Sequence, residues 1–194
     1  VCTGGACAGT AEPDGTSCDD HNDCTNPDAC QSGACGGAAL TDGTPCDDGD
    51  TCSRPDSCQS GTCAGTAPAA SCRAPFVAGR SRFQLRDRTP NSGDRLVWKW
   101  VRGAQTLKNE FGDPIGSTEY TFCAYDETGG VPHRIMKQTI PPGSAWIELS
   151  NGYRYRDSDL TQGGIYSLLL KEGVDGKAKI LLRGKAHPLD MPAL

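Results

Sequence analysis

Hydrophobic and polar positions follow two different patterns along the 194-residue chain, and the pattern changes near residue 72. Beyond that point, short runs of alternating apolar and polar residues are separated by Gly, Pro and Asn, which is typical of antiparallel β-strands and their turns. No convincing helical stripe interrupts them. The pattern predicts eight strands, at 82–87, 95–102, 119–125, 133–140, 145–150, 153–157, 165–172 and 178–184.

Residues 73–194 are therefore predicted to form an antiparallel β-sandwich or jelly roll, because many short strands with regular turn signals are typical of these folds. All twelve aromatic residues of the chain lie in this part. No apolar run approaches the ~20 residues that a spanning helix needs, which excludes a helical membrane protein. The predicted core consists of Leu96, Trp98, Trp100, Phe122, Ile135, Trp146, Tyr155, Leu168, Leu170, Ile180 and Leu182.

Residues 1–72 lack this alternation, since Val1 and Leu40 are their only large apolar residues. A shift of 28 residues aligns their cysteines, and DGTSCDDHNDCTNPDACQSGACGG (14–37) matches DGTPCDDGDTCSRPDSCQSGTCAG (42–65). Half a repeat precedes these two, so we expect the chain to derive from a longer precursor. With so little apolar surface to bury, the repeats are predicted to form a cross-linked arm with little regular structure. The whole protein is expected to be mainly β.

Cysteine is concentrated in the arm, which holds eleven of the twelve cysteines. Zinc sites favour shorter C-x-x-C-type spacings with His or Cys partners, and His21 is replaced by Gly49 in the second repeat. Disulfides are therefore favoured over zinc, which indicates an oxidising, extracellular compartment. The predicted disulfide cysteines are Cys2, Cys7, Cys18, Cys24, Cys30, Cys35, Cys46, Cys52, Cys58, Cys63, Cys72 and Cys123.

Two pairing schemes remain open, because connectivity cannot be deduced from spacing. In one scheme, cysteines that are consecutive in the sequence pair with each other: Cys2–Cys7, Cys18–Cys24, Cys30–Cys35, Cys46–Cys52 and Cys58–Cys63. In the other, the first cysteine of each repeat pairs with the third and the second with the fourth. A Cys72–Cys123 bond is compatible with both schemes, and it would tie the arm to the next domain.

Oxygen-bearing side chains recur at matching places in the two repeats and predict a calcium site in each. Calcium binds six to eight oxygens from carboxylates, amides and carbonyls, and acids packed into a disulfide-bonded loop repel each other without a cation. A second interpretation is that these acids keep the arm soluble and cap its turns. The candidate ligands are Asp19, Asp20, Asn22 and Asp28, with Thr25, and Asp47, Asp48, Asp50 and Asp56, with Ser53.

The formal net charge of −5 is the sum of two opposite charges. Residues 1–72 carry eleven acids and one base, net −10, and residues 73–194 carry thirteen acids and eighteen bases, net +5. Four arginines alternate along one predicted strand and are expected on one face. We expect this face to contact the acidic arm of another copy, although a contact within one chain would satisfy the same charges. The interface residues are Arg80, Arg82, Arg86 and Arg88.

Four segments of the second part resemble an uncharacterised β-sandwich domain of large secreted bacterial proteins, often found beside cysteine-rich repeats. They are 94–104 (DRLVWKWVRGA), 111–126 (FGDPIGSTEYTFCAYD), 146–157 (WIELSNGYRYRD) and 162–188 (QGGIYSLLLKEGVDGKAKILLRGKAHP). The four-Cys repeats resemble Dickkopf or disintegrin-type modules. The resemblance implies secretion and a surface location but no chemistry. The domain commonly has Cys before Trp146, where this chain has Ala145, which makes Cys72 the better partner for Cys123.

Enzyme signatures are absent from the sequence, which contains no G-x-S-x-G, H-E-x-x-H, P-loop or dinucleotide fingerprint. A glycosidase-like pair among Asp126, Glu127, Glu148 and Asp157 is less favoured than acids placed at turns. We therefore expect the protein not to be an enzyme. Its modest positive charge in the second part also argues against nucleic-acid binding.

Three function classes remain. We favour a secreted structural or adhesive protein of the cell surface that assembles head-to-tail into filaments, because heterologous contacts that do not close produce open polymers. The first alternative is a carbohydrate-binding module for surface polysaccharide, with Trp100, Tyr153 and Tyr155 as the sugar-binding aromatics. The second alternative is a small disulfide-rich protein of the inhibitor type.

Overall fold

The computed structural model describes residues 12–65, 73–130, 132–186, 189 and 191–192, together with the backbone of residues 2–3 and 6–7. The chain divides into two compact units, Val1–Ala70 and Ser71–Leu194. The sequence placed this division two residues later, after residue 72. No helix among the described residues is long and apolar enough to cross a membrane.

The first unit consists of β-hairpins that recur with the sequence repeat. Four strands form one antiparallel sheet in the order β1-β2-β4-β3, and β5 pairs with β6 in a separate sheet. Composition alone did not predict this amount of regular structure. The strands are β1 (Cys2–Thr3), β2 (Ala6–Cys7), β3 (Thr25–Gln31), β4 (Ala34–Ala39), β5 (Asp56–Gln59) and β6 (Thr62–Gly65).

A Ser-Gly turn closes the hairpin of each repeat. Ser32 and Gly33 have φ angles of 50° and 84°, and the equivalent Ser60 and Gly61 have φ angles of 51° and 79°. Two successive positive φ angles define the type I′ turn, whose twist matches that of antiparallel strands. The serine N–H also donates a hydrogen bond of 2.7 Å to an aspartate in both repeats. Turn chemistry therefore forms these strands where apolar burial is scarce.

The second unit contains all eight predicted strands, each within one residue of its predicted ends. Three short 3₁₀ helices lie between them, at Asn91–Gly93, Lys108–Phe111 and Thr128–Gly130. The strands are β7 (Ser81–Arg86), β8 (Arg95–Gly103), β9 (Tyr120–Asp126), β10 (His133–Ile140), β11 (Trp146–Leu149), β12 (Gly152–Arg156), β13 (Ile165–Lys171) and β14 (Ala178–Lys185).

These strands form two antiparallel layers of unequal size. Six of them form a sheet in the order β11-β12-β13-β14-β8-β7, and β9 and β10 form a hairpin. Ala124, Met136 and Ile140 of the hairpin belong to the same buried cluster as Leu96, Leu168 and Leu182 of the large sheet. The hairpin therefore covers one face of the sheet, and the predicted mainly β, antiparallel class is confirmed.

The core contains the predicted residues and several that the strand pattern did not identify. Seven of the eleven predicted residues are buried, and Trp98, Phe122, Ile135 and Ile180 pack against them while partly exposed. Phe111, Met136, Ile140 and Ile165 are buried as well. Phe111 was not predicted as a core residue, because it lies on a 3₁₀ helix outside the alternating strands.

The disulfides pair the first cysteine of a repeat with the fourth, and then join one repeat to the next. Both predicted pairing schemes are wrong for these cysteines. The hairpins bring cysteines 17 or 34 residues apart in sequence to Cα separations of 5.4–6.0 Å, which disulfide geometry requires. The bonds are Cys18–Cys35 and Cys46–Cys63 within repeats, and Cys24–Cys58 between them.

Two further cysteines, Cys52 and Cys123, are also disulfide-bonded. The predicted Cys72–Cys123 bond involves Cys72, which lies outside the described part of the chain. The predicted Cys2–Cys7 bond also lies outside it, because only the backbone of these two residues is described. Cys30 is buried on β3. The disulfides of the described residues fit an extracellular protein.

Candidate metal centres and a basic sheet face

Each repeat brings three aspartates together. In the second repeat, Asp47, Asp48 and Asp56 each place a carboxylate oxygen within 4.8 Å of the other two. Asp19, Asp20 and Asp28 do the same in the first repeat. Two of the three aspartates directly follow the first cysteine of the repeat, and the third lies on the first hairpin strand. The fold therefore assembles the same carboxylate cluster twice.

One carboxylate of each cluster has a buried oxygen that lacks a hydrogen bond. Asp56 is only 6% exposed, and its Oδ2 accepts a hydrogen bond of 3.3 Å from the Asp48 N–H. Its Oδ1 is buried and has no hydrogen-bond partner among the described residues. Asp28 repeats this arrangement with the Asp20 N–H, also at 3.3 Å, although Asp28 is only half-buried. Leaving a buried acceptor unsatisfied costs about 1–3 kcal/mol, and more when the group is charged.

A glycine packs directly against each of these oxygens. A Cβ atom placed on Gly65 would collide with Asp56 Oδ1 and with the carbonyl oxygen of Ser53, and one on Gly37 would collide with Asp28 Oδ1. Neither glycine has a positive φ angle, so close approach rather than backbone conformation requires glycine here. The backbone therefore holds the buried carboxylate in place.

The charge around the clusters is almost entirely negative. Arg54 is the only Lys or Arg in residues 1–72, and it contacts exposed Asp47 at 3.3 Å rather than buried Asp56. In the first repeat, His21 Nδ1 lies 3.3 Å from exposed Asp19. A hydrogen bond from the Asp50 N–H, supported by bonds from Ser53 and Gly65, lowers the pKa of Asp48. None of these contacts reaches the buried Oδ1 of Asp56.

The remaining predicted ligands have other roles in the loops. Asn22 Oδ1 accepts a hydrogen bond from the Cys24 N–H at 3.1 Å, and Asp50 Oδ1 accepts one from the Cys52 N–H at 3.0 Å. The hydroxyl of Ser53 donates to Asp48 at 3.0 Å, as the equivalent threonine hydroxyl does in the first repeat. The D-x-N and D-x-D pattern therefore shapes the loop. The carboxylate cluster contains fewer residues than the predicted ligand set, three aspartates in each repeat.

Three sulfur atoms also lie close together, those of Cys24, Cys46 and Cys58. Cys24 and Cys58 are bonded to each other, and Cys46 is bonded to Cys63. Because zinc binds thiolates, oxidised sulfurs of this kind do not offer a zinc site. Zinc is therefore excluded as the ligand of this group.

The second unit carries a basic sheet face, which we define as the surface of the six-stranded sheet directed away from the core. Trp98, Leu182, Leu168 and Tyr155 lie in register on the core side, so the alternate positions point to the other side. No acidic residue occupies those positions on the described strands. Ten basic residues from five strands lie at those positions: Arg82, Arg86, Arg95, Lys99, Arg154, Arg156, Lys171, Lys179, Arg183 and Lys185.

Like charges face each other directly across neighbouring strands of the basic sheet face. Cross-strand pairs of this kind are destabilising, whereas pairs of opposite charge contribute about 0.2–1 kcal/mol. The arrangement is therefore unfavourable for the isolated sheet and favours an anionic partner. The directly opposed pairs are Arg82 with Lys99, Arg86 with Arg95, Lys171 with Lys179, and Lys185 with Arg95.

The predicted arginine interface is one edge of this larger surface. Arg82 and Arg86 lie on β7 and belong to the basic sheet face. Arg80 precedes the strand and Arg88 follows it, and both are exposed. Sequence alternation found the two arginines of one strand, but it could not show that four other strands place their basic residues beside them.

The aromatic and acidic residues that suggested other functions have structural contacts. Trp100 and Tyr155 are 6% and 2% exposed, so they offer no open platform to a sugar. Tyr153 lies beneath Lys108, whose Nζ is 5.4 Å from the ring centre. The same lysine pairs with Glu148 at 2.6 Å, and Asp157 accepts hydrogen bonds from both the N–H and the hydroxyl of Thr161.

Comparisons with protein-family models, with curated proteins and with solved structures found no match to this chain. The resemblance to a domain of secreted bacterial proteins stays a prediction.

Proposed function

We propose that the protein is a secreted structural protein that assembles head-to-tail, with the basic sheet face of one copy bound to the acidic repeats of the next. The basic sheet face carries the proposal, because ten cationic side chains share one surface without an acidic residue among them. The complementary charge is present in every copy, since residues 1–72 have a net charge of −10. Complementary potentials of this kind steer association and fix its orientation.

The two surfaces belong to different units of the chain, so the contact between copies is heterologous. A heterologous contact leaves one free basic face and one free set of repeats at the ends of every assembly. Such contacts continue into open polymers unless the rotation between copies closes a ring. This property supports a structural or adhesive role outside the cell, where the disulfides of the arm are stable.

A complementation experiment tests the contact with two variants of the full chain. Arg156→Glu/Arg183→Glu reverses charge on two exposed residues of the basic sheet face. Asp23→Lys/Thr51→Lys places a positive charge at the same exposed position of each repeat, outside the carboxylate clusters. Lys177→Glu, which lies in an exposed turn outside the face, is the matched control.

Sedimentation velocity should show concentration-dependent growth for the wild type and the control, and this growth should weaken at about 1 M salt, where the Debye length is ~3 Å. Each double variant alone should remain monomeric. An equimolar mixture of the two should form a 1:1 complex that grows no further, because only one productive contact is left. Wild-type protein that stays monomeric at high concentration, or a mixture without a complex, would contradict head-to-tail assembly.

Acidic polysaccharide is the second partner to test, because Arg154, Arg156 and Arg183 surround a depression of about 200 Å³ with Ser167. Guanidinium groups bind carboxylate and sulfate oxygens through paired hydrogen bonds. If the wild type is monomeric and is retained on immobilised polyuronate, and if Arg156→Glu/Arg183→Glu is not retained, the result would favour polysaccharide binding over self-assembly as the function.

A further inference from the structure

We propose that each repeat binds one calcium ion, at Asp47, Asp48 and Asp56 in the second repeat and at the equivalent Asp19, Asp20 and Asp28 in the first. The proposal does not depend on head-to-tail assembly, because it concerns groups inside a single copy. It narrows the ligand set suggested by the sequence to the three carboxylates that the fold brings together.

The buried carboxylate of Asp56 is the observation that points to a cation. Its Oδ1 is buried without a hydrogen-bond partner among the described residues, and the side chain is 6% exposed. Buried charges in proteins are paired or bind metals, and Arg54, the only Lys or Arg in residues 1–72, contacts exposed Asp47. Asp28 in the first repeat has the same unpartnered oxygen. The same unsatisfied group at the same place in two repeats is difficult to explain without a common ligand.

The donor set selects a hard cation and favours calcium over magnesium. All three groups offer carboxylate oxygen, the ligand type of calcium and magnesium, whereas zinc prefers sulfur and nitrogen. The ligand oxygens lie within 4.8 Å of one another. Magnesium usually binds through one or two carboxylates and keeps several waters, whereas calcium accepts a larger number of carboxylate oxygens in a flexible geometry, so three clustered carboxylates favour calcium. Water and backbone carbonyls complete the coordination.

The loops are preorganised for this binding. Cys46, which directly precedes Asp47, is bonded to Cys63 of the hairpin, and a hydrogen bond of 2.7 Å from the Asp50 N–H holds the Asp48 carboxylate in place. A rigid site loses little conformational entropy when the ion binds. In the absence of the ion, the three carboxylates repel each other.

Isothermal titration of the full chain with calcium, after treatment with EGTA, tests the proposal. The wild type should bind two ions, with a dissociation constant on the order of 10⁻⁴ M, as in other extracellular modules. Asp56→Asn and Asp28→Asn should each remove one site, and the double variant should remove both. Asp42→Asn and Asp14→Asn are matched controls that should keep two sites, because these aspartates accept hydrogen bonds from Ser60 and Ser32 outside the clusters.

Thermal unfolding separates loss of the site from loss of the fold. In EGTA, Asp56→Asn should melt no lower than the wild type, because the amide oxygen can still accept the hydrogen bond from the Asp48 N–H and one carboxylate is removed from a crowded group. Calcium should raise the melting temperature of the wild type by mass action and raise that of the variant less. Hydrogen exchange on the wild type requires no variant: calcium should protect residues 47–56 and 19–28 but leave residues 133–140 unchanged.

Three results would overturn the calcium sites. The first is no binding by folded wild-type protein at about 10 mM calcium, well above the range of extracellular modules. The second is retention of both sites in Asp28→Asn/Asp56→Asn. The third is magnesium binding as tight as calcium binding, which would contradict the assignment of the ion.

Discussion

Cys24 of the first repeat is bonded to Cys58 of the second, with their Cα atoms 5.4 Å apart. A hydrogen bond of 2.9 Å from Asn22 Nδ2 to the Gly61 carbonyl oxygen joins the same two repeats. Both sulfurs are fully buried. The repeats are therefore cross-linked to each other, and each is also closed by its own disulfide.

Replacing this bond, in Cys24→Ser/Cys58→Ser, should destabilise the repeats and leave the second unit folded. A bond that closes a loop of this length contributes about 4 kcal/mol by constraining the unfolded chain. Hydrogen exchange should increase throughout residues 12–65, while tryptophan fluorescence, which reports only the second unit, should be unchanged. Ser57→Ala, which keeps every disulfide, is the control. Parallel unfolding of both units would contradict their independence.

Adjacent glycines in β4 should respond differently to alanine. A Cβ on Gly37 would collide with Asp28 Oδ1 and the Pro27 carbonyl oxygen, whereas one on Gly36 meets no atom within 4 Å. Gly37→Ala should therefore lower the free energy of unfolding of the first unit by about 1–3 kcal/mol, and Gly36→Ala should be nearly neutral. Denaturant titration followed by far-ultraviolet circular dichroism measures both. Equal effects would mean that the carboxylate can move aside.

Relief of like-charge repulsion should stabilise the second unit while weakening assembly. Lys171→Glu places an acid directly opposite Lys179, which should raise the free energy of unfolding by about 0.2–1 kcal/mol. Urea denaturation followed by tryptophan fluorescence measures this change, and sedimentation should show weaker self-association. Lys177→Glu changes the same charge in an exposed turn and should alter neither property. A destabilised Lys171→Glu would show that the basic residues support the sheet itself.

Acidification should remove the contribution of one surface ion pair. Arg73 donates a hydrogen bond of 2.7 Å to Glu110, which lowers the pKa of this carboxyl from its ordinary value of 4.5, and the Leu107 N–H adds to the effect. A lowered folded-state pKa stabilises the protein above the unfolded-state pKa, and the stability is lost as pH falls through the folded-state pKa. Glu110→Gln should therefore melt below the wild type at pH 7.

The difference in melting temperature between Glu110→Gln and the wild type should shrink as the pH falls below about 4.5. Glu119→Gln, at an exposed position of the same segment, should track the wild type at every pH. A gap that stays constant from neutral to acidic pH would show that the amide acts through packing rather than through charge.

The strands of the second unit were predictable because their signal is local. Alternation of apolar and polar residues reflects the two faces of a strand, so β10 was predicted with both ends correct and the other seven strands within one residue. The hairpins of the repeats were not predicted, although the Ser-Gly pairs at 32–33 and 60–61 are a recognised turn signal. With so few apolar residues, the strands of the repeats show no alternating pattern beside these turns.

The mainly β class, the repeat, the separation of charge and the density of cysteine can all be read from the amino-acid sequence. These properties depend on composition and on neighbours along the chain. The bond between Cys24 and Cys58, the basic face shared by five strands, and the burial of Asp56 Oδ1 without a hydrogen-bond partner among the described residues could be seen only in the folded chain. Each of these depends on distances between residues far apart in sequence, and those distances follow from the path of the folded backbone.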